Sequence, residues 1–408
     1  MNRKSRPVLM PLEQAMQRLM SDVEPTQSVI ELPLSECLGK VVATDVLSDV
    51  DVPPADNSAM DGYCLAADDA LSAANRVLPL SQRIPAGSVP QPLVSGTVAR
   101  IFTGAEVPEG ANVVVMQENC RVVGGGVELP ECLTVGDNIR KQGQDICKGD
   151  IVVPKGRRVR PQEMGLLASV GISTLAVYRP LTVALLSTGD ELVEPGEPLP
   201  VGSIYNSNRY TLLGLLRALN FTTLDLGIVA DTPEATESAL LKATEADCIV
   251  SSGGVSVGEE DHVKNAIEKL GQLELWKLAI KPGKPFAFGD VKGTPFLALP
   301  GNPVAAFATF LLLCRPYLLK KQGDENPDTV SFTLPANFSH SKPGTRQEYL
   351  RARSEIVDGE IRVSVYPNQS SGVLSSTCWG NGLVVVPIGK TIQRGEAVTF
   401  LPYRDLLF

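Results

Sequence analysis

From residue 181 onward, short apolar runs alternate with amphipathic stretches of helical character, and no other feature of the chain restricts its fold as strongly. LTVALLS (181–187), TTLDLGIV (222–229), DCIVSS (247–252), LELWKLAI (273–280) and PFLALP (295–300) read as strands. NRYTLLGLLRAL (208–219), PEATESALLKATEA (233–246), EDHVKNAIEKL (260–270) and PVAAFATFLLLC (303–314) read as helices. A helix between two strands carries the chain back to the same sheet edge, so the repeat predicts a doubly wound, mostly parallel α/β domain with helices on both faces. In that architecture ligands bind outside the carboxyl ends of the strands.

The remaining sequence predicts further units, since 408 residues at roughly 100–200 per domain correspond to two to four domains. Leu12, Ala15, Met16, Leu19 and Met20 form the stripe of an amphipathic helix. Residues 29–147 read as a β-rich inserted domain of short strands broken by Gly, Pro, Asn and Asp, while PQEMGLLASVG (161–171) returns to helix. These patterns place an N-terminal mixed domain at 1–28 and 148–178, the inserted domain at 29–147 and the central α/β domain at 179–328. Beyond GDENPD (323–328), a hairpin with Asp358-Gly359 as its turn and two more apolar strands predict a C-terminal β-barrel-like domain at 329–408.

Composition removes several kinds of chemistry. His262 and His340 are the only two histidines, which argues against a histidine-rich metal site within one chain and leaves acid–base work mainly to carboxylates or lysines. The eight cysteines are irregularly spaced with no CxxC, which reads as free, mostly buried thiols. A net charge of −9 opposes generic nucleic-acid or anionic-membrane binding, so a phosphate-bearing ligand requires a local basic cluster. No run approaches about 18 uninterrupted apolar residues, and MNRKSRPVLM lacks the apolar core of a secretory signal. A cytoplasmic location is expected.

Several expected strand ends open into chemically distinctive turns: Thr188-Gly189-Asp190-Glu191, Asp231, the run from Gly253 to Asp261, and Pro300-Gly301-Asn302-Pro303. Gly253, Gly254, Ser256 and Gly258 precede a helix, where free N–H groups and the positive end of the dipole can cradle phosphate. The run matches neither GxGxxG nor GxxxxGK[ST], and a glycine turn is as readily structural. Asn302 and Pro303 suit a helix cap and first turn without any ligand. Lys277, Lys281 and Lys284 lie in an otherwise apolar run, where ammonium groups need anionic company; a solvated edge strand would also show lysines. The loop containing Asp61 carries no chemical signature of its own, and Arg140, Lys141 and Asp145 supply two cations and a carboxylate that suit a surface ion pair.

In order, DNSAMDGY, TGAEVPEGANVVV, STGDEL, SSGGVSVGEEDH, WKLAIKPGKPFAFG and LPGNPVAA resemble the molybdopterin molybdenumtransferase family, MoeA in bacteria and the E domain of gephyrin in animals. EYLRA and NQSSGVLSS match it more loosely. The resemblance implies that the central domain is of the molybdopterin-binding type, within a four-domain homodimer that completes the molybdenum cofactor. Molybdate is inserted at the dithiolene of adenylylated molybdopterin and AMP is released, with Mg²⁺ assisting. By similarity, Asp61, Asp190, Glu191, Asp231, Asp261, Lys277 and Lys281 are catalytic, and Glu191, Asp231 and Asp261 hold the metal. Gly253, Gly254, Ser256, Gly258, Lys284, Pro300, Gly301, Asn302 and Pro303 bind the substrate. Thr103, Arg140 and Asp145 join Asp61 in completing the cleft from the partner subunit, and Arg351 and Ser371 match a molybdate-contacting pair. Ala305 stands where the family often has Ser. A molybdopterin adenylyltransferase and other cofactor-synthesis proteins are expected partners. The rival readings are an adenylyltransferase-like enzyme, resembling only residues 179–325, and a non-catalytic gephyrin-like scaffold.

Overall fold

The computed structural model describes residues 9–73, 76–253 and 262–407. Its largest core surrounds a six-stranded sheet in the order Thr222–Val229, Thr182–Thr188, Cys248–Ser252, Thr294–Leu299, Pro285–Val291, Gly271–Lys277. The first four strands pair in parallel, and the last two pairings are antiparallel. Side chains alternate across a strand, so Val183 and Leu185 pack with Leu212, Leu216 and Leu311 on one face. Ala184 and Leu186 pack with Leu240, Ile249 and Ile267 on the other. Helices therefore cover both faces, as the alternation predicts.

Strand Pro285–Val291 is absent from the expected set of strands. It joins Thr294–Leu299 through Lys292 and Gly293, whose φ angles of 50° and 85° suit the two-residue hairpin turns that match strand twist. Lys in the first turn position conceals the usual Asn-Gly or Asp-Gly signal.

Two boundaries differ from the sequence reading. Helix Leu12–Met20 buries Ala15 and Leu19 in the core of the central sheet rather than with residues 148–178. Strand Val29–Pro33 pairs with Thr174–Tyr178, and Val46–Leu47 pairs with Ile151 and Val153. These early strands thus share the small core of Cys37, Val42, Val159, Leu167 and Val177, and the separate sheet of the inserted region begins only with Gly62–Leu65. Toward the C-terminus, Gln347–Val357 and Glu360–Val365 form the anticipated hairpin around Asp358-Gly359. They belong to a sheet that also contains Phe332–Pro335, Gly382–Val386, Ala397–Pro402 and the two-residue strand Ile280–Lys281.

The helical run Pro303–Lys321 is long and apolar enough to cross a membrane by length and composition, but 78 % of its apolar window is buried in the protein. It is a core helix of the central unit. All eight cysteines are free; Cys37, Cys64, Cys248 and Cys314 are buried, whereas Cys132, Cys147 and Cys378 are exposed. Burial pushes the Cys64 and Cys248 thiols up to about 12, which makes them poor nucleophiles.

Two measurements test this packing. Leu185 is fully buried, so Leu185→Ala should cost about 2–5 kcal/mol and bring forward the urea transition of the central unit; an unchanged midpoint would contradict the assigned core. Glu163 accepts from Arg160 N–H at 3.0 Å and from Arg157 Nη2 at 3.1 Å. The Arg160 side chain, chiefly, holds its carboxyl down at about 2. Its stabilisation is fully present above the unfolded value of roughly 4.3 and disappears as pH falls through about 2. Glu163→Gln should flatten the acid limb of stability between those values, and an identical limb in the variant would refute the coupling.

Candidate active site on the carboxyl rim of the sheet

Parallel pairing brings the ends of Thr222–Val229, Thr182–Thr188, Cys248–Ser252 and Thr294–Leu299 to one rim. Gly253 is where three of them meet. Its N–H donates to Leu299 O at 3.3 Å, and its φ of +87° avoids the side chain that would sit 2.8 Å from Thr188 O. A cavity of about 470 Å³ opens here, lined by Thr188, Glu191, Asn206, Asn208, Ser252 and Gly253 and, on its far wall, by Gly301, Asn302 and Pro303. Asn206 caps helix Ser207–Ala218 by accepting from Arg209 N–H at 3.2 Å, and Asn208 Nδ2 donates to Gly301 O at 2.7 Å. Arg209 is itself held by Asp225 and Glu194 at 2.8 and 2.7 Å. One cation thus secures the helix start that forms the wall.

Thr188 Oγ1, Asn206 Nδ2 and Asn208 Oδ1 are buried without hydrogen-bond partners. Together with the Glu191 carboxylate, the two oxygens offer the hard donors that Mg²⁺ prefers, and Mg²⁺ commonly takes only one or two carboxylates because substrate phosphates and water complete its shell. The donor set therefore fits that ion, although among the described residues no three His, Cys, Asp or Glu side chains gather. Gly189, at φ +142°, leaves room for Glu191 to fold back over the turn. Asp190 is exposed and does not line the cavity. Asp231 lies on the same rim, two residues beyond Val229, the register partner of Thr188, but also outside the cavity lining. Gly254, Ser256, Gly258 and Asp261 lie outside the described residues.

The lysine turn reaches this rim because Gly271–Lys277, two antiparallel steps from Thr294–Leu299, runs in the same direction as the parallel strands. Lys277 is the register partner of Pro285, so Lys281 and Lys284 sit in the connection between them, which leaves the sheet three strands away from the one ending at Ser252. Lys277, Lys281 and Lys284 are all exposed. Gly283, at φ +103°, packs so closely on Thr309 Oγ1 that a side chain there would collide. Lys281 Nζ lies 3.0 Å from Glu348 Oε2.

Asn302 occupies the cap position of helix Pro303–Thr309 but makes no side-chain cap bond, which corrects the expected role. Instead, Val304 N–H donates to Ser371 O at 3.0 Å, so a loop of the C-terminal unit satisfies the helix start. Arg351, only 1 % exposed, donates from Nε to Ser376 Oγ at 2.9 Å and from Nη2 to Ser370 O at 3.0 Å. Burial lowers its pKa from the ordinary guanidinium value. The expected Arg351–Ser371 pair is thus joined through the Ser370 loop to the turn at Pro300–Pro303.

The residues of the inserted sheet form a separate constellation. Asp61 Oδ1 accepts from both the N–H and the hydroxyl of Thr103 at 2.8 Å. These bonds, the backbone one first, hold its carboxyl below the usual range. Arg140 pairs in register with Asn57, and Asp145 N–H donates to Val52 O at 2.9 Å. Arg140 and Asp145 are exposed, and the bonds of all four residues stay within this region. Sequence reasoning missed Asn206, Asn208 and Glu348 as site residues. Asn206 is readable in hindsight as a helix cap before a helical stripe, whereas Glu348 carries no local signal.

Comparison with known proteins agrees along the whole chain. Residues 10–171 match the MoeA N-terminal region (domain I and II), residues 184–320 the family described as "Probable molybdopterin binding domain", and residues 333–403 the MoeA C-terminal region (domain IV). A molybdopterin molybdenumtransferase of Haemophilus influenzae is 38 % identical, with 98 % of this chain and 100 % of that protein aligned. One from Nostoc sp. is 35 % identical over 89 % of this chain and 86 % of its own. The crystal structure of a molybdopterin biosynthesis moeA protein from Pyrococcus horikoshii OT3 superimposes with a TM-score of 0.85 at 29 % identity, covering 97 % of this chain and 100 % of that one. The chain therefore belongs to the MoeA family of molybdopterin molybdenumtransferases.

Proposed function

We propose that the protein acts in molybdenum cofactor biosynthesis by inserting molybdate into adenylylated molybdopterin and releasing AMP. The observation that carries this reading is the presence, on one rim of the sheet, of a polar cavity lined by Thr188, Glu191, Asn206 and Asn208 and of a connection bearing Lys277, Lys281 and Lys284, in a chain that matches its family from end to end. The substrate joins a pyrophosphate to a dithiolene, and molybdate is a tetrahedral dianion. Both anions call for cationic and N–H donors. Thr188, Asn206 and Asn208 on the cavity wall present polar side chains, and the lysines neutralise charge that builds on the leaving phosphate or on molybdate. The substrate's own dithiolene supplies the sulfur ligands for molybdenum. Glu191, Thr188 and Asn208 would hold Mg²⁺, which would offset the repulsion between protein carboxylates and phosphate oxygens. Asp190 and Asp231 add acidic side chains to the same rim.

Asp61, Thr103, Arg140 and Asp145 act, in this reading, across a homodimer interface, each set completing the rim of the partner subunit. Their exposure at Arg140 and Asp145 and the containment of their bonds within the inserted sheet support that arrangement. The same reading closes the C-terminal strands into a barrel, supported by the bridge between Ala336 and Val363. It places the protein in the cytoplasm, beside a molybdopterin adenylyltransferase that supplies its substrate. An adenylyltransferase-like enzyme is disfavoured because family matches extend over both flanking regions, and no observation favours the scaffold.

Purified protein should release AMP from adenylylated molybdopterin when molybdate and Mg²⁺ are supplied; no release under those conditions would overturn the enzymatic reading. Lys281→Ala should lower kcat/KM by roughly tenfold or more, because one charge-assisted contact contributes about 1.5–3 kcal/mol. Mixing Asp61→Ala chains with Asp261→Ala chains should restore one intact site per heterodimer, and failure of rescue in isolated heterodimers would reject the shared cleft.

A further inference from the structure

We infer that Glu348 is a positioning residue that holds the Lys281 ammonium ready for the anionic substrate, an inference that rests on the reading of Lys281 just given. Four observations converge on it. Ile280–Lys281 pairs in parallel with Gln347–Glu348, and Lys281 is the direct register partner of Glu348. Their side chains meet at 3.0 Å, with the Glu348 side chain 8 % exposed and that of Lys281 47 % exposed. A side chain at Gly344 would crowd Glu348 Oε1 at 2.7 Å, so glycine leaves the carboxylate its space. The backbone of the turn is held separately, by Gln347 N–H to Ala279 O at 2.8 Å and Arg346 Nη1 to Ile280 O at 3.1 Å.

The asymmetry of exposure gives the pair its direction. Glu348 is embedded in the C-terminal sheet and cannot wander, whereas Lys281 is a flexible four-carbon stem ending at an open rim. An ammonium has three donors; one engages Glu348 and the others remain for substrate oxygens. Fixing the stem before substrate arrives removes conformational freedom that would otherwise be lost in the transition state. The carboxylate also tempers repulsion from Lys277 and Lys284, which share the turn. Three residues farther along the same strand, Arg351 secures the Ser370 loop whose neighbour Ser371 satisfies the helix start at Val304. One strand of the C-terminal unit therefore sets two turns of the rim.

The test is a double-mutant cycle on the full-length protein, reading AMP release at saturating and at limiting adenylylated molybdopterin. Glu348→Gln keeps the shape and should leave the thermal midpoint near wild type while lowering kcat about three- to tenfold, with a smaller change in KM. In a Lys281→Ala background the same substitution should change turnover less than about twofold, because coupled residues are non-additive. Glu348→Asp, which keeps the charge, should recover part of the loss. Equal losses from Glu348→Gln with and without Lys281, or full turnover in Glu348→Gln when Lys281→Ala is impaired, would overturn the positioning role alone. Full turnover in Lys281→Ala would remove the lysine from the reaction and overturn both readings.

Discussion

Because Gly271–Lys277 lies two antiparallel steps from Thr294–Leu299, it regains the direction of the parallel strands, and its carboxyl end emerges beside theirs. The site depends on this double reversal. A single reversal would deliver Lys277 and the turn after it to the opposite edge, away from Gly253 and Pro303. The Lys292-Gly293 turn, with both residues at positive φ, is short enough to give one of the two reversals without a helical crossover. The lysine turn itself gives the other part of the rim, entering at Lys277 and leaving at Pro285.

Charge is organised locally rather than across the surface. The chain is acidic, at −9, yet Lys277, Lys281 and Lys284 lie within eight residues at one end of the sheet. Exposed ammonium groups of this kind act at short range. The acidic remainder of the protein does not cancel them, because solvent screens charges separated by more than about 8–10 Å. The buried, unpartnered oxygens of Thr188 and Asn208 belong to residues that line the same cavity as Glu191.

Support for the rim comes from outside the central unit. Helix Pro303–Thr309 lacks a side-chain cap of its own and draws on Ser371 O instead. The Lys281 ammonium draws on Glu348, and the loop bearing Ser371 draws on buried Arg351. A buried guanidinium satisfied by carbonyls and a hydroxyl is costly to disturb, so the loop it organises is held firmly. The C-terminal sheet is in this sense a brace for the candidate site on another sheet.

Much of this was legible in the chain itself. Local hydrophobic period determined the strands from Thr182 to Thr188, Thr222 to Val229 and Cys248 to Ser252 and the helices between them, and with them the functional edge, since parallel strands share one carboxyl end. Ordered motifs determined the family. Strand Pro285–Val291 was hidden because Gly289 interrupts its pattern and Lys292 stands where Asn or Asp signals a turn. Helix Leu12–Met20 and strand Val29–Pro33 were legible as elements but not in their attachments, because period shows which face is apolar and not which core it meets. Only the tertiary structure brought Glu348 to Lys281 and Ser371 to Val304. Those contacts join residues 67 apart and in separate units, and register between distant strands depends on how whole sheets dock rather than on any local pattern.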